Sequence, residues 1–308
     1  MIEETSLYVK SNNLIKFTLS STMNIQTMTQ NTYKIGFSPC PNDTFIFDAL
    51  VHQKIDTKNY RFEYVLEDVE TLNEWALDGQ LPITKLSYHA YLHTVDKYII
   101  ADSGSALGRG VGPLIIANNA LEGDLKSALK NKTIGIPGFY TTAHLLFKFA
   151  FPDHQQKEFL VFNEIENKVI EEQLDAGIII HENRFTYEAK GLHKWLDLGT
   201  WWEENTKQHI PLGGIAIDRS LPQQVQNDIN DLIRKSVDYA YDQLPSIPKF
   251  VEEHAQEMDT EVMKKHIHLY VNEYSKSLGE EGRAAIDYIF TKAVEKGWID
   301  TYPEQLYL

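Results

Sequence analysis

Short apolar runs alternate with helical stretches from residue 33 onward, and this alternation limits the fold more than any other feature of the chain. The segments "YKIGFS", "YRFEYVLE" and "LPITKLS" have the composition of strands, and each is followed by a stretch with helical periodicity. Strands that alternate with helices indicate βα units and a mostly parallel sheet. At 308 residues the chain is long enough to form two hydrophobic cores. We therefore expect an α/β protein.

Two glycine-bearing segments interrupt this pattern, "GRGVGPLIIAN" near residue 113 and "IPLGGIAIDRS" near residue 213. Between them the order of strand, turn and helix starts again with "TIGIPGFYTTAHLLFKFAF". This spacing predicts a first lobe made of residues 33–113 and 213–308, which carries a set of C-terminal helices, and an inserted second lobe of residues 114–212. Two lobes joined by short connections favour a ligand cleft between them.

Residues 1–32 precede the first strand, are rich in Ser, Thr, Asn and Gln, and lack helical periodicity. We expect a poorly ordered leader, or a start codon assigned too early, since Met23 and Met28 lie just before the first strand. The leader has no apolar run typical of a secretory signal, and the chain has no run of about 18 apolar residues that could span a membrane. These observations predict a cytoplasmic protein without membrane insertion.

Acidic residues outnumber basic ones, 44 to 29, which gives a formal net charge of -15. This balance argues against a nucleic acid as a partner. The single cysteine, Cys40, cannot form an intrachain disulfide, and the sequence has no Cys/His set with zinc spacing. A reducing compartment fits this use of cysteine. The pattern indicates no particular oligomeric state.

Three turns that lead into helices are expected to face the cleft. The first, "SPCPNDTF", has Asn42 or Asp43 in position to cap the following helix. The second, "TKLSYHAY", has Ser87 at an N-cap position two residues after Lys85. At these two turns, capping accounts for the polar side chains at least as well as ligand contact does.

The third turn, "IPGFYTTAHLL", places Thr141 and Thr142 at the start of a very apolar helix. A helix N-terminus offers free N–H groups and a partial positive charge, and two hydroxyls add donors, so a carboxylate or phosphate would be held well there. Capping is again the alternative. The segment "GRGVG" around Arg109 is not followed by a helix and is therefore not a dinucleotide-binding fingerprint. The three turns together predict a small anion-binding cleft.

Histidine is the natural candidate for proton transfer near neutral pH, and two histidines compete for this role. His144 lies in the first turns of an apolar helix, where burial favours a structural role. His181 ends the apolar run "IIIHE", and for it a catalytic role and a solvated strand end are equally open. His266 and His268 lie on a polar helix and are expected to be solvated. None of the 11 histidines forms an HExxH pair, so a catalytic metal is not expected.

Five motifs in order, "SPCPNDTFIFDAL", "TKLSYHAYL", "ALGRGVGPL", "IPGFYTTAHLL" and "DAGIIIHENRFTYE", resemble the 1,4-dihydroxy-6-naphthoate synthases of the futalosine route to menaquinone. The resemblance runs from about residue 33 to the C-terminus and leaves the leader out. It implies a type II periplasmic-binding-protein-like fold with the ligand cleft between the lobes. It also implies a lyase that converts cyclic dehypoxanthinyl futalosine to 1,4-dihydroxy-6-naphthoate without a metal or a redox cofactor.

The resemblance assigns roles to particular residues. The histidine that closes the "IIIHE" strand, His181, would be the proton acceptor. Substrate and product are aromatic carboxylates, which agrees with an anion-binding cleft. The positions that match substrate-contacting segments of the family are Lys85, Leu86, Ser87, Thr141 and Thr142.

Two other functions remain open. A solute-binding protein would share the fold but would need an export signal or a lipid anchor. A dehydratase of chorismate derivatives would also share the fold, but lacks the "HENRF" cluster found here.

Overall fold

The computed structural model describes residues 31–256 and 259–308, and their strands form two sheets. The first sheet begins with five strands that precede the first crossing of the chain: β1 (Asn31–Phe37), β2 (Tyr60–Leu66), β3 (Ile83–Ser87), β4 (Tyr98–Ile100) and β5 (Ala106–Gly108). The second sheet contains the next five: β6 (Leu114–Ala117), β7 (Ile134–Ile136), β8 (Lys157–Phe159), β9 (Ala176–Ile179) and β10 (His193–Asp197). The last strand, β11 (Ile210–Asp218), rejoins the first sheet.

Helices connect these strands and form the C-terminal part of the chain. They are α1 (Pro41–Val51), α2 (Val69–Asp78), α3 (Tyr88–Thr94), α4 (Leu125–Ala128), α5 (Thr142–Ala150), α6 (Ile165–Ile170), α7 (Leu198–Thr206), α8 (Gln223–Asp242), α9 (Lys249–His254), α10 (Thr260–Tyr270), α11 (Glu273–Lys276) and α12 (Gly279–Glu295). Short 3₁₀ turns lie at Phe162–Glu164, His181–Phe185 and Tyr187–Lys190. Within the described residues, none of the helices combines the length and the apolar composition that a membrane span requires.

The predicted α/β class is confirmed, but the sheets are mixed rather than mostly parallel. In the first sheet, with the order β2-β1-β3-β11-β4, strand β1 runs parallel to β2 and β3, whereas β11 runs antiparallel to β3, β4 and β5. In the second, with the order β10-β6-β9-β7-β8, strand β6 is antiparallel to β9 and β10. The strands that break the parallel pattern are β6 and β11, and each of them follows a passage of the chain between the sheets.

The chain passes between the sheets twice, between Gly108 and Leu114 and again between Asp197 and Ile210. The division at residues 113 and 213 stays a prediction, since β11 already begins at Ile210 and is continuous through residue 213. Of the predicted leader, residues 1–32, the first 30 residues lie outside the described part of the chain. Its last two residues, Asn31 and Thr32, belong to β1.

Among the described residues, three hydrophobic clusters hold this arrangement together, one of them confined to the second lobe around Ile116 and Ile165. Another joins Phe37 of β1 to Phe45 of α1 and Ile233 of α8. The largest contains Leu86 of the first sheet and Ile115 of the second. Because this largest cluster includes strands of both sheets, the two lobes share a hydrophobic core.

Gly112, in the first crossing, has no room for a side chain. A Cβ atom added there would lie 2.3 Å from both the Cα and the N atom of Gly199, in the first turn of α7. That turn is held in place, since Gly199 N donates to the Asp197 carboxylate at 2.9 Å. The crossing therefore depends on direct backbone contact.

Gly112→Ala should lower the free energy of unfolding by about 3 kcal/mol, the upper end of the range for overpacking, because both contacted atoms are backbone. Urea unfolding measures the change. Gly110→Ala is the matched control in the same segment: this glycine has φ 67° and no heavy atom within 4 Å of the added carbon. It should lose only about 1 kcal/mol, the cost of a left-handed alanine. Equal losses in both variants would contradict the packing argument.

Candidate functional site

A cavity lies between the two lobes, and its wall contains every residue that the sequence analysis assigned to a site: Lys85, Leu86, Ser87, Thr141, Thr142 and His181. The first three lie at the end of β3 in the first sheet. The threonines open α5 and His181 follows β9, both connected to the second sheet. Residues up to 96 chain positions apart, from Lys85 to His181, are thus brought to one cavity by strand ends and helix starts, as in other open α/β sheets.

Asp43 and Lys85 form a buried ion pair in this wall, with Lys85 Nζ 2.7 Å from Asp43 Oδ1 and side-chain exposures of 6% and 2%. Asp43 was expected to cap α1, but Cys40 is the N-cap and Pro41 begins the helix. The Asp43 carboxylate instead accepts hydrogen bonds from Lys85, from Asn42 Nδ2 at 2.8 Å, and from the hydroxyl and backbone N–H of Ser38. The prediction that Asp43 caps α1 is therefore wrong. Asp43 is instead a hydrogen-bond acceptor in the cavity wall.

Ser87 stands at the N-cap position of α3, but its side chain makes no capping hydrogen bond. Asn73 holds it instead: Ser87 N donates to Asn73 Oδ1 at 2.8 Å, and Asn73 Nδ2 donates to Ser87 Oγ at 3.1 Å. The oxygen thus accepts from protein, and no described residue receives its hydroxyl proton. Ser87 can therefore donate a hydrogen bond into the cavity.

The hydroxyls of Thr141 and Thr142 are already used within the protein. Thr141 Oγ1 donates to Gly138 O at 3.0 Å and accepts from His144 N at 3.3 Å, which caps α5. Thr142 Oγ1 donates across the cleft to Leu212 O at 2.5 Å. That both hydroxyls donate to a ligand stays a prediction, and such contacts would replace the hydrogen bonds that the hydroxyls make here. What α5 offers an anion is the backbone N–H groups of its first turn and the positive end of its dipole.

Glu70 links the two lobes beside the cavity. Its carboxylate, on α2, accepts from Tyr140 N of the second lobe at 2.8 and 3.1 Å and from Asn73 Nδ2 at 3.1 Å. Gly138, with φ 103°, comes so close that an added Cβ would lie 2.5 Å from Glu70 Cδ. Burial raises the pKa of Glu70. Asn73 therefore bonds both to Ser87 in the cavity wall and to Glu70 at the contact between the lobes.

The backbone and the ring of His181 both have unusual features. Its φ of 56° is left-handed, a conformation that few non-glycine residues adopt. Nδ1 lies 3.4 Å from Cys40 Sγ. Nε2 is buried and has no hydrogen-bond partner within residues 31–256 and 259–308. Burial lowers the pKa of His181 to about 4, and the charge of Asp43 opposes that decrease.

His144, the competing histidine, is not part of the cavity wall. Nδ1 donates to Phe139 O at 2.8 Å, and Nε2 accepts from Lys157 Nζ at 3.5 Å. Burial lowers its pKa to about 4 as well. Because both ring nitrogens are occupied by protein, the geometry of His144 is that of a structural residue.

His266 was expected to be solvated, and this expectation is wrong. The side chain is fully buried and lines the cavity. Nε2 donates to Asn42 Oδ1 at 2.9 Å, since the amide nitrogen of Asn42 donates to Asp43, and Nδ1 lies 3.6 Å from Glu182 Oε2. Burial holds the pKa of His266 well below its usual value.

A sequence signal for His266 existed in the pattern of α10. The buried residues of this helix, Met263, Ile267 and Tyr270, form with His266 a face spaced by three and four residues. Tyr270 lines the cavity too. A histidine within the apolar stripe of an otherwise polar helix is therefore the observation that would have found it.

Cys40, His181 and Glu182 are the described residues with the arrangement of a metal site, with one potential ligand atom of each within 4.8 Å of the others. Cysteine binds metals as the thiolate. Burial is the main cause that raises the pKa of the Cys40 thiol well above its ordinary value. A metal ion would have to displace that proton before these three residues could hold it.

The model of a menaquinone biosynthesis family matches residues 33–295 of the chain. A 1,4-dihydroxy-6-naphtoate synthase of Thermus thermophilus is 43% identical over 275 residues, which cover 89% of this chain and 98% of that relative. A protein of the same name from Streptomyces coelicolor is 39% identical over 277 residues, which cover 88% of this chain and 96% of the relative. Both matches extend over almost the whole length of the relatives.

Among solved structures, a protein of Archaeoglobus fulgidus superposes with a TM-score of 0.81 at 35% identity and covers 87% of this chain and 98% of its own. The periplasmic aliphatic sulphonate binding protein of Escherichia coli superposes with a TM-score of 0.62 at 10% identity, over 90% of this chain and 92% of its own. A likeness at such low identity is evidence of fold alone. The predicted periplasmic-binding-protein-like fold class is confirmed.

Lys85→Met should lower the free energy of unfolding by about 3 to 5 kcal/mol, because it leaves the buried Asp43 carboxylate without its cation. Adding Asp43→Asn should recover a large part of this loss, since the pair is then removed as a unit. Urea unfolding of the two single variants and the double variant measures the coupling. Lys132→Met is the control: its pair with Asp175 is exposed, and its loss should cost about 0 to 1 kcal/mol. Strictly additive single effects would contradict a buried ion pair.

Proposed function

The chain belongs to the menaquinone biosynthesis family of the 1,4-dihydroxy-6-naphtoate synthases, and on that premise we propose that it is a lyase with His181 as its general base. The substrate would be cyclic dehypoxanthinyl futalosine and the product 1,4-dihydroxy-6-naphthoate. The reaction would break a carbon–carbon bond of the sugar-derived part of the substrate. The cytoplasmic location expected from the sequence stays a prediction.

The observation that carries the proposal is the position of His181 Nε2. This atom is buried, belongs to a residue of the cavity wall, and meets no hydrogen-bonding atom among the described residues. A general base needs a lone pair within reach of the substrate proton that it removes. Of the two histidines that the sequence analysis considered, only His181 has a ring nitrogen that protein does not already occupy.

The charges in the cavity support a base that starts neutral. Burial keeps imidazole uncharged, with the pKa of His181 lowered to about 4. When His181 takes up a substrate proton, the resulting cation lies near the Asp43 carboxylate, whose charge favours it. A carboxylate on the bound substrate adds a further negative charge and raises the pKa of His181. Substrate binding therefore increases the basicity of His181 at the stage where a base is needed.

The substrate carboxylate fits between α5 and Ser87. The first turn of α5 supplies backbone N–H groups and a partial positive charge. Ser87 adds a hydroxyl proton that no described residue receives. We place the carboxylate there, with Thr141 and Thr142 contributing their backbone rather than their side chains.

The test of this function is the incubation of the purified full-length chain with cyclic dehypoxanthinyl futalosine, followed by mass detection of 1,4-dihydroxy-6-naphthoate. Formation of the product supports the proposal. Tight binding without turnover would favour a solute-binding protein, and turnover of a chorismate derivative instead would favour the dehydratase. The solved binding proteins at 10 to 13% identity share only the fold and support neither alternative.

His181→Asn should reduce kcat by about 100-fold to 10,000-fold, the usual contribution of a general base, with little change in substrate binding. In the unaltered protein, kcat/KM reports the free enzyme and should fall as the pH drops through about 4, because protonation removes the lone pair of His181. This decrease at low pH should be absent in the variant. Steady-state rates from pH 3.5 to 8 give both results.

His144→Asn is the control for this prediction, because His144 is a buried histidine that does not line the cavity. It should lower stability and leave turnover of the folded protein at saturating substrate nearly unchanged. A large loss of kcat in His144→Asn, together with near-normal kcat in His181→Asn, would show that the base was assigned to the wrong histidine.

Ser87→Ala should raise the KM for substrate about 10-fold to 150-fold, because it removes one hydrogen bond to a charged group, worth about 1.5 to 3 kcal/mol. Its effect on unfolding should be small, since Ser87 does not cap α3. Thr141→Val provides the contrast: it removes the cap of α5 and should cost about 1 kcal/mol of stability, with little effect on KM. The reverse result, with affinity lost in Thr141→Val and stability lost in Ser87→Ala, would refute this placement of the carboxylate.

A further inference from the structure

We propose that Glu70 and His89 are positioning residues that hold the turn before α5, residues 139–142, against the first lobe, so that the start of α5 is in place before an anion binds. Neither side chain lines the cavity. Both therefore act on the turn from outside the cavity wall. The consequence for substrate binding rests on the proposed function, whereas the holding of the turn does not.

Glu70 holds the turn through the backbone of Tyr140. The N–H group of Tyr140 donates to the carboxylate at 2.8 Å from Oε1 and 3.1 Å from Oε2. The side chain of Glu70 also lies directly against the backbone of Gly138, where an added Cβ would come within 2.5 Å of Glu70 Cδ. A charged acceptor makes one of the stronger hydrogen bonds found in proteins. The turn is therefore attached firmly to α2 of the first lobe.

His89, on α3 of the first lobe, holds the next residue of the turn. Its Nδ1 lies 3.2 Å from Thr141 O. A carbonyl oxygen only accepts, so Nδ1 is the donor of this hydrogen bond. The side chain is 2% exposed, and its ring stacks on that of Phe139 with the centroids 6.3 Å apart. Burial holds the pKa of His89 well below its ordinary value, so the donor is a neutral ring.

A third hydrogen bond from the first lobe reaches the same turn, since Thr142 Oγ1 donates to Leu212 O of β11. Three consecutive residues, 140 to 142, are thus bound by α2, α3 and β11. Thr141 is the N-cap of α5 and Thr142 its first residue. These bonds therefore fix the place of the N–H groups that α5 offers an anion. A site that is ordered in advance does not lose binding energy to its own ordering.

The charge of Glu70 makes the sign of its effect on binding diagnostic. A carboxylate repels a nearby anion, so the loss of this charge alone would tighten the binding of a substrate carboxylate. Loss of the hydrogen bonds of Glu70 would weaken it, because the turn would be held less firmly. Weaker binding after removal of a negative charge therefore identifies Glu70 as a positioning residue.

Hydrogen exchange of the ligand-free full chain, followed by mass spectrometry of peptides that contain residues 139–142, measures how firmly the turn is held. Glu70→Ala should speed this exchange about 10-fold to 150-fold, because a hydrogen bond to a charged group is lost. His89→Phe, which keeps an aromatic ring, should speed it about 2-fold to 12-fold, because a neutral hydrogen bond is lost. Glu70→Gln keeps an oxygen acceptor for Tyr140 N and should lie between the unaltered protein and Glu70→Ala.

Glu74→Ala and His93→Phe are the matched controls, since each residue lies one helical turn further along the same helix and is exposed. The ring of His93 contacts that of Tyr140 with centroids 5.7 Å apart, and phenylalanine keeps a ring there. Both controls should leave the exchange of the turn unchanged. Unchanged exchange in both Glu70→Ala and His89→Phe, or an equal rise in the controls, would overturn the proposal. Glu70→Gln and His89→Phe keep the test available if Glu70→Ala does not fold.

Substrate kinetics test the consequence for binding. With cyclic dehypoxanthinyl futalosine, KM should rise about 10-fold in Glu70→Ala and by a smaller factor in His89→Phe. The value of kcat should stay within about twofold, because the turn binds the carboxylate equally in the ground state and the transition state. Glu70 also accepts from Asn73, which holds Ser87, whereas His89 reaches the turn through Thr141 O. A higher KM in His89→Phe therefore reports the turn itself.

The outcomes separate this inference from the proposed function. A lower KM in Glu70→Ala would show that the charge of Glu70 outweighs its contacts and would overturn its role as a positioning residue. A turn that exchanges faster while KM stays at its original value would overturn that role as well. Failure of the unaltered chain to convert the substrate would overturn the proposed function alone, and the exchange of the ligand-free chain would still show whether Glu70 and His89 hold the turn.

Discussion

The buried carboxylate of Asp43 is the interaction on which the rest of the site depends. Burying an ion is costly unless it is paired and its remaining lone pairs are satisfied. Asp43 meets both conditions, with Lys85 as its cation and three further donors from Ser38 and Asn42. These hydrogen bonds fix the orientation of the Lys85, Ser38 and Asn42 side chains. Asn42 in turn accepts from His266, so the position of α10 also depends on this carboxylate.

A second set of contacts joins ligand binding to the arrangement of the lobes. Asn73 bonds to Ser87 in the cavity wall and to Glu70 at the contact between the lobes. Glu70 accepts from Tyr140 N, two residues before the first residue of α5. A ligand that bridges Ser87 and the start of α5 therefore spans the same gap that Glu70 already spans. Because Ser87 and Glu70 share Asn73 as a hydrogen-bond partner, a movement of the lobes that displaces Glu70 would also change the orientation of Ser87.

The sequence predicted those parts of the site that local pattern determines. The end of a buried strand located His181, and two helix starts located Ser87 and Thr141, because strand ends and helix starts meet at one edge of an α/β sheet. Local pattern could not predict how each hydroxyl or carboxylate would be used. Whether Asp43 caps a helix or pairs with Lys85 depends on a residue 42 positions away.

The same limit explains what was missed. His266 comes to the cavity on a helix whose sequence is mostly polar, and the local pattern marks it as part of a buried face without showing that this face meets the cavity. The antiparallel direction of β11 likewise depends on the return path of the chain, which the alternation of strands and helices does not specify. Element types follow from neighbouring residues, whereas partners and strand directions follow from the three-dimensional arrangement.

The proposed function places a general base in a ligand-binding architecture. A cleft that binds a carboxylate at a helix N-terminus has a positive potential, which disfavours a protonated histidine nearby. Deep burial acts in the same direction on His181 and keeps it neutral when the cleft is empty. In the proposed function, the carboxylate of the substrate would reverse part of this effect, together with Asp43. In the proposed reaction, the feature that recognises the substrate is therefore also the one that raises the basicity of the residue acting on it.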